Sequence, residues 1–232
     1  MIGKSKSIRA RVLNIAKKEN LTLQLVIIRY LHERLLYRVS VSHYADNFCL
    51  KGGVLFYYYN REQTRPTMDI DFLGTNIPNE VKFIVSAFRE ICAMSYPHDA
   101  VVFDISSIVA EEIASQDQYP GIRLFVIAGL DTIRQRIQIN IGFGDIVIPS
   151  AVQLNYPTLL PESEILVVRA YSLETVVAEK FEAMIDLSAA NSRMKDFYDV
   201  YYILTTLLLC HLFCPTVPQQ YFSASQIQRF AH

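Results

Sequence analysis

The chain has 232 residues, 51% of them hydrophobic and 19% charged, with 22 basic against 23 acidic side chains and a formal net charge of −1. That much apolar material excludes intrinsic disorder over most of the length, and a domain size of roughly 150 residues predicts one compact body of one or two lobes without a linker. Four cysteines, Cys49, Cys92, Cys210 and Cys214, are too few and too scattered for a disulfide framework, which points to a reducing, cytoplasmic setting.

Met1 to Arg11 carries basic residues but no apolar stretch with a cleavage site, so no secretory signal is expected. Ser5 or Ser7 is placed to cap a first helix to about Lys18. Thr22 is placed to cap a second, in which Leu23, Val26, Ile27, Tyr30 and Leu31 fall at helical spacing. Residues 1–40 hold nine basic side chains (Lys4, Lys6, Arg9, Arg11, Lys17, Lys18, Arg29, Arg34, Arg38) against Glu19 and Glu33, a local balance of +7. Such a segment either attracts a polyanion through counterion release or is simply a solvated helix face.

From Asn47 the pattern changes. Phe48-Cys49-Leu50 reads as a short strand, Gly52-Gly53 as a turn, Val54 to Tyr59 as the start of a helix and Met68 to Leu73 as a strand. Pro78 fits the first position of a helix to about Met94, and Ala100–Ile108, Ile122–Ala128 and Arg134–Gly142 read as strands of a mixed sheet with helices on a face. After Pro149 comes a segment with Pro157 and Pro161, then Ile165 to Val168 as a strand. Ser172 caps a helix through Asp186, and Ser192 the next, from Arg193 to about Cys210. The longest apolar stretch, Val200 to Cys214, contains Thr205, Thr206 and His211 and falls short of the roughly 20 residues that span a bilayer, so no membrane partner is expected. No internal repeat is present.

Two features carry chemistry. In Met68-Asp69-Ile70-Asp71-Phe72, strand alternation puts Asp69 and Asp71 on one face and the apolar residues on the other. Two carboxylates so held suit divalent cations, although an isolated Asp-x-Asp is more often a solvated sheet edge. The second feature is Lys51-Gly52-Gly53 at a strand–helix junction, where the glycines let the backbone approach a triphosphate and the helix N-terminus offers its amides. Together they form the arrangement of nucleotidyltransferases resembling DNA polymerase β.

The stretches "FCLKGGVLFYYY", "RPTMDIDFLG", "QINIGFGDIVIP" and "SLETVVAEKFEAMIDLSAANSRMKDFYDVYYIL", in this order between about Phe48 and Leu204, resemble the AbiEii/AbiGii toxin family of nucleotidyltransferase-like proteins. The resemblance implies an α+β fold: an N-terminal helical segment over 1–45, a polymerase-β-like lobe with a mixed sheet over 46–150, and a helical C-terminal lobe over 151–232. It also implies a nucleoside triphosphate substrate, Mg²⁺, transfer of a nucleotide to RNA (tRNA foremost) and a cognate antitoxin.

Carried over residue by residue, Lys51, Gly52 and Gly53 would face the phosphates, Asp69 and Asp71 would bind metal, and Lys180 would contact the triphosphate. Arg193, Lys195, Asp196 and Asp199 match the last basic–acidic motif, and Arg65 stands at the entry to the metal strand. Read by spacing alone, Lys195 and Asp199 are i,i+4 neighbours and form a surface ion pair. Asn140 stands where related sequences place a third aspartate; its oxygen can coordinate, but it brings no charge and cannot act as a base. Asp145 either compensates in part or hydrogen-bonds in a turn.

After Leu204 the family pattern is lost and Pro215 and Pro218 end the helix, so the C-terminal lobe is expected to be shortened. Cys210, His211 and Cys214 read as apolar helix and not as a zinc site, for want of a second ligand pair. Two other readings stand beside a toxin enzyme: a catalytically impaired relative that binds nucleotide or antitoxin, and a small-molecule nucleotidyltransferase. A metal-dependent nuclease would leave the Gly-Gly turn without a use.

Overall fold

The computed structural model describes residues 2–59, 67–113, 121–145, 147, 148, 150–187 and 194–208. Thr22 caps the second helix as its sequence requires: its Oγ1 accepts from the Leu25 N–H at 3.4 Å. The elements in chain order are α1 (Ile2–Lys18), α2 (Leu23–Val41), β1 (Phe48–Lys51), α3 (Gly52–Tyr59), β2 (Asp69–Gly74), α4 (Val81–Ala93), β3 (Val101–Ile113), β4 (Gly121–Leu130), β5 (Ile133–Phe143), β6 (Val152–Tyr156), β7 (Leu166–Ala170), α5 (Leu173–Leu187) and α6 (Met194–Tyr202), the last continued by a π-helical turn, Ile203–Leu208.

The seven strands among the described residues form one sheet in the order β3-β4-β5-β2-β1-β7-β6. Parallel pairings join β2 to β5 and β1 to β7, and the other neighbours run antiparallel, so the sheet is mixed as expected. Alternation divides the central strands cleanly. Ile70 and Phe72 of β2 and Ile137, Ile139 and Ile141 of β5 are buried in the core, while Asp69, Asp71, Gln138 and Asn140 take the opposite face. The core face is covered by α2, against β5 and β7, and by α4, against β3 and β4; α1 packs on α2. The Phe48 ring lies tilted against those of Phe72 and Phe88, at centroid separations of 5.7 and 5.1 Å.

Several boundaries differ from the sequence reading, each for a local reason. The fourth helix begins at Val81 after an extended Glu80, so Pro78 lies in the approach and not at the first helical position. Met68 precedes β2 and is half-exposed. β3 runs five residues past Ile108 because an irregularity between Asp104 and Val109 lets pairing with β4 resume; the Asp104 carboxylate accepts from the Ser106 N–H at 3.0 Å and holds the kink. β6 was not anticipated, although Val-Gln-Leu-Asn-Tyr buries Leu154 and Tyr156 in strand alternation between its flanking prolines. Ser172 does cap α5, accepting from the Thr175 N–H at 3.2 Å. Ser192, Cys210, His211 and Cys214 lie outside the described residues.

The basic N-terminal segment is less a surface than its composition implies. All five of its arginines form ion pairs with this same chain: Arg9 with Asp131, Arg11 with Glu162, Arg29 with Glu19, Arg34 with Glu33 and Arg38 with Asp99. Arg34 and Arg38 are buried, and the exposed cations of the segment are Lys4, Lys6, Lys17 and Lys18. Arg38 ties α2 to the loop before β3, donating to both Asp99 oxygens at 2.7 and 3.3 Å and to the carbonyls of Arg34, Met94 and Val101. No helix among the described residues is long and apolar enough to cross a membrane.

Removing one member of a buried, hydrogen-bonded pair strands the other charge. Asp99→Ala is therefore expected to cost about 3–5 kcal/mol, read as a lowered urea midpoint. A loss below about 1 kcal/mol would contradict the burial of this pair.

Candidate active site

β1 ends at Lys51, and the chain enters α3 through Gly52 at φ +68, in the left-handed region that glycine alone adopts freely. β1 and β2 pair so that Lys51 stands opposite Asp71. The Asp71 carboxylate lies directly against Gly52, where any Cβ would collide with it, and a Cβ on Gly53 would come within 2.5 Å of Thr67 Oγ1. The close approach that the two glycines permit is therefore first of all an approach of β2 to the start of α3. Thr67 Oγ1 in turn donates to Asp69 Oδ1 at 3.2 Å.

The parallel pairing of β2 with β5 places Asn140 beside Asp71 and Gln138 beside Asp69. Asn140 joins the carboxylates: its Nδ2 donates to Asp71 Oδ1 at 2.9 Å and to Asp69 Oδ2 at 3.3 Å. Its Oδ1 accepts from Arg123 Nε at 3.2 Å and Gln138 Nε2 at 3.1 Å. Two donors on one side and two carboxylates on the other fix the sense of the amide. The group that faces the aspartates here is the amide nitrogen, which donates to both carboxylates. Burial raises the Asp71 pKa above the ordinary carboxylate value; the Asn140 hydrogen bond counters this, the Asp69 charge adds to it and the Lys51 charge opposes it.

Lys51 sits behind the pair. Its Nζ donates to Asp145 Oδ2 and Glu179 Oε1, each at 2.6 Å, and lies over the Tyr171 ring at 5.5 Å from the centroid. Burial alone would lower the Lys51 pKa, but Glu179 and Asp145 together outweigh it and leave it raised, so the ammonium form is held. Tyr171 donates to the same Asp145 oxygen at 2.8 Å. Asp145 is thus more than a turn residue: it fixes Lys51, and with Glu179 it links the ends of β1 and β5 to α5.

Of the other expected residues, Lys180 donates to Asp199 Oδ2 at 2.6 Å, with Asp199 buried. This pairing between α5 and α6 is one that the i,i+4 spacing from Lys195 does not anticipate. The side chains of Lys195 and Asp196, on α6, and the whole of Arg65 and Arg193 lie outside the described residues. Sequence reasoning missed Glu179, although it adjoins Lys180, and also Arg123, Tyr171 and His32. His32 is 2% exposed on α2, its Nε2 is buried without a hydrogen-bond partner, and it feels the charge of Asp69. A lone histidine on an apolar helix gave no signal of this.

Among the described residues no group of three or more His, Cys, Asp or Glu side chains is arranged to hold a metal ion. Asp69 and Asp71 nonetheless fit Mg²⁺, which commonly takes one or two protein carboxylates and completes its shell with water and substrate phosphate. The donor set is all oxygen and negatively charged, as that cation requires.

A family model described as "Nucleotidyl transferase AbiEii toxin, Type IV TA system" matches residues 34–219. Among solved structures, a candidate nucleotidyltransferase from H. pylori is similar at 14% identity with TM-score 0.48, over 79% of this chain and 69% of that one. JHP933 from Helicobacter pylori follows at 16% identity with TM-score 0.47, over 79% and 67% of the two chains. ANT(2")-Ia in complex with adenylyl-2"-tobramycin aligns at 16% identity with TM-score 0.37, over 90% and 94%. No curated protein matches the chain.

Two tests address this geometry. Asn140→Asp replaces the bridging donor with a third carboxylate. Without metal the melting temperature is expected to fall by about 2–4 °C for each kcal/mol of repulsion introduced, and millimolar Mg²⁺ is expected to restore it. A variant equally stable with and without Mg²⁺ would show that residue 140 does not face the aspartates. Burial lowers His32 from 6.5 to about 4, with Asp69 pulling the other way. The stability it contributes is present above pH 6.5 and is lost as pH falls toward 4, on the order of 3 kcal/mol in all. His32→Gln is expected to flatten this acid limb in urea unfolding, and an unchanged slope would place His32 in contact with water.

Proposed function

Because the chain belongs to the AbiEii family of nucleotidyltransferase toxins, we propose that it transfers a nucleotide from a nucleoside triphosphate to an RNA acceptor, tRNA foremost, in a Mg²⁺-dependent reaction held in check by a cognate antitoxin in the cytoplasm. The observation that carries this reading is the placement of Asp71 directly against Gly52, where α3 begins, with Asp69 on the same face of β2. A triphosphate entering here meets the unpaired amides of the first turn of α3 and the positive end of its dipole on one side. On the other side it meets the seat for a cation.

Mg²⁺ held by Asp69 and Asp71 would neutralise phosphate charge and acidify the attacking hydroxyl. Asn140 keeps the two carboxylates in register, and Thr67 orients Asp69. The acceptor oxygen bonds to the α-phosphorus as the bond to the β,γ-pyrophosphate breaks. The Lys51 ammonium, kept protonated by Asp145 and Glu179, offsets charge on the departing phosphates. Lys180, oriented by Asp199, is assigned a further contact to the triphosphate. Arg65, Arg193 and Lys195 are assigned the same role, with Asp196 beside them, on the match of their motifs alone.

One observation favours a second reading. The Asn140 amide takes the place of an expected carboxylate and satisfies the aspartates itself, which suits a relative that binds nucleotide without transferring it.

The readings separate in a transfer assay with each α-labelled nucleoside triphosphate, total tRNA and Mg²⁺. The enzyme reading predicts label on RNA that falls about a hundredfold or more in Asp69→Ala. Saturable nucleotide binding with no label on any RNA would overturn it in favour of the second.

A further inference from the structure

The helices α2 and α4 cover one face of the sheet, and the other face of β3, β4 and β5 is open beside the aspartates. Strand register lays out what this face carries. Asp71, Asn140, Arg123 and Glu111 form one row across β2, β5, β4 and β3, and Asp69, Gln138, Phe125 and Val109 form the next. Further along β5 come Arg136, opposite Ile127, and Arg134, opposite Gly129. At about 3.3 Å per residue, Arg136 and Arg134 stand roughly 13 and 20 Å from Asn140 along the strand.

Both arginines are exposed, and neither makes an ion pair among the described residues, unlike the five arginines of α1 and α2. Arg134 donates to the carbonyls of Asp131 and Ile133 in its own turn, at 2.9 and 3.0 Å. The guanidinium carbon of Arg136 lies over the Phe125 ring, 3.6 Å from its centroid, so one side of the group is seated on an aromatic surface while the residue remains open to solvent. The acidic side chains that share the outer part of this face stand on the edge strand β3. Asp104 is engaged by Ser106, accepting from its N–H and hydroxyl at 3.0 and 2.6 Å, and Glu111 lies 3.6 Å from Arg123. The cationic lane is therefore β5, the strand that leads to the aspartates.

We propose, on the reading above in which RNA is the acceptor, that this face carries the RNA as a single strand running along β5 away from the aspartates, with a base stacked on the Arg136 guanidinium and a phosphate held by Arg134. Bases of a single strand stack on guanidinium planes and aromatic rings, whereas a duplex presents only its edges and backbone. The seat on Phe125 orients the Arg136 group before a base arrives, so less freedom is lost on binding. Val109 and Ile127, 55% and 37% exposed on the neighbouring strands, add apolar surface for the bases. A stacked strand has a phosphate about every 3.4 Å, so the two arginines meet the RNA about four to six nucleotides from the end held at the aspartates.

The test measures binding of a single-stranded oligoribonucleotide of about ten nucleotides to the full chain over a range of salt, with EDTA present and no nucleoside triphosphate. Saturable binding is expected, weaker by about tenfold in Arg136→Ala. Arg136→Lys, which keeps the charge but loses the plane, is expected to retain the salt dependence and not the affinity. In Arg134→Ala the slope of log affinity against log salt is expected to become shallower by about 0.7, the loss of one phosphate contact to a single strand. A merely structural role would not separate affinity from slope in this way, and the affinity for a Mn²⁺–nucleotide complex is expected to be unchanged in all three variants. No saturable RNA binding, or an RNA affinity unchanged in Arg136→Ala, would overturn the proposal and leave the face to a protein partner. Full affinity in Arg136→Lys would overturn the stacking of a base on Arg136. The transfer reading fails separately: a chain that binds RNA through these arginines but labels none retains this face. Label on RNA that is undiminished in Arg136→Ala, with RNA below saturation, keeps the transfer reading and overturns the face.

Discussion

Two carboxylates on one face of a strand, half-buried and with nothing between them, would repel strongly enough to disturb the sheet that carries them. Asp69 and Asp71 are such a pair, and the surroundings of β2 are organised to hold them. The Asn140 amide places one nitrogen between them, Thr67 donates to Asp69, and Lys51 brings a positive charge up behind. Parallel pairing of β2 with β5 is what sets Asn140 at the right height, since a slip of one residue would turn its side chain into the core.

The same balance extends to the C-terminal helices. Lys51 is neutralised by Asp145, just past the end of β5, and by Glu179 from α5, so the position of α5 is tied to the charge state of the face that carries the aspartates. Next to Glu179, Lys180 turns to the buried Asp199 and joins α5 to α6. Adjacent residues of one helix thus face two different carboxylate partners, one at the site and one at the helix–helix contact. A triphosphate arriving at Gly52 would add negative charge within reach of a lysine already shared by two carboxylates, and this makes Lys51 the residue through which occupancy of the site would be felt by α5.

What was legible in the sequence was local. The Gly-Gly junction, the alternation of Asp69 and Asp71 against Ile70 and Phe72, and the Thr22 and Ser172 caps all rest on residues within a few positions of each other, and the structure reproduces each. What was not legible depends on partners distant in the chain. Spacing offers Lys195 as the neighbour of Asp199, whereas the pairing that the structure describes is with Lys180, nineteen positions away. The arginines of the first 40 residues look like a surface charge run because their acidic partners, such as Asp99, Asp131 and Glu162, lie far along the chain. Asn140 was correctly placed beside the aspartates, but the direction of its amide follows from Arg123 on the next strand, which no motif names. β6 was hidden differently: its alternating pattern is clear but only five residues long, and prolines on either side draw attention to the turns.

Asp69 and Asp71 are proposed as the seat of a metal–nucleotide complex. The most direct test is the affinity of the full chain for a nucleoside triphosphate with a non-hydrolysable α,β bridge in the presence of Mn²⁺, compared between the wild-type chain and Asp71→Asn. A loss of at least tenfold, about 1.4 kcal/mol, is expected in a variant that remains folded, because the substitution removes a charged ligand without altering its shape. Equal affinity in the two proteins would contradict it.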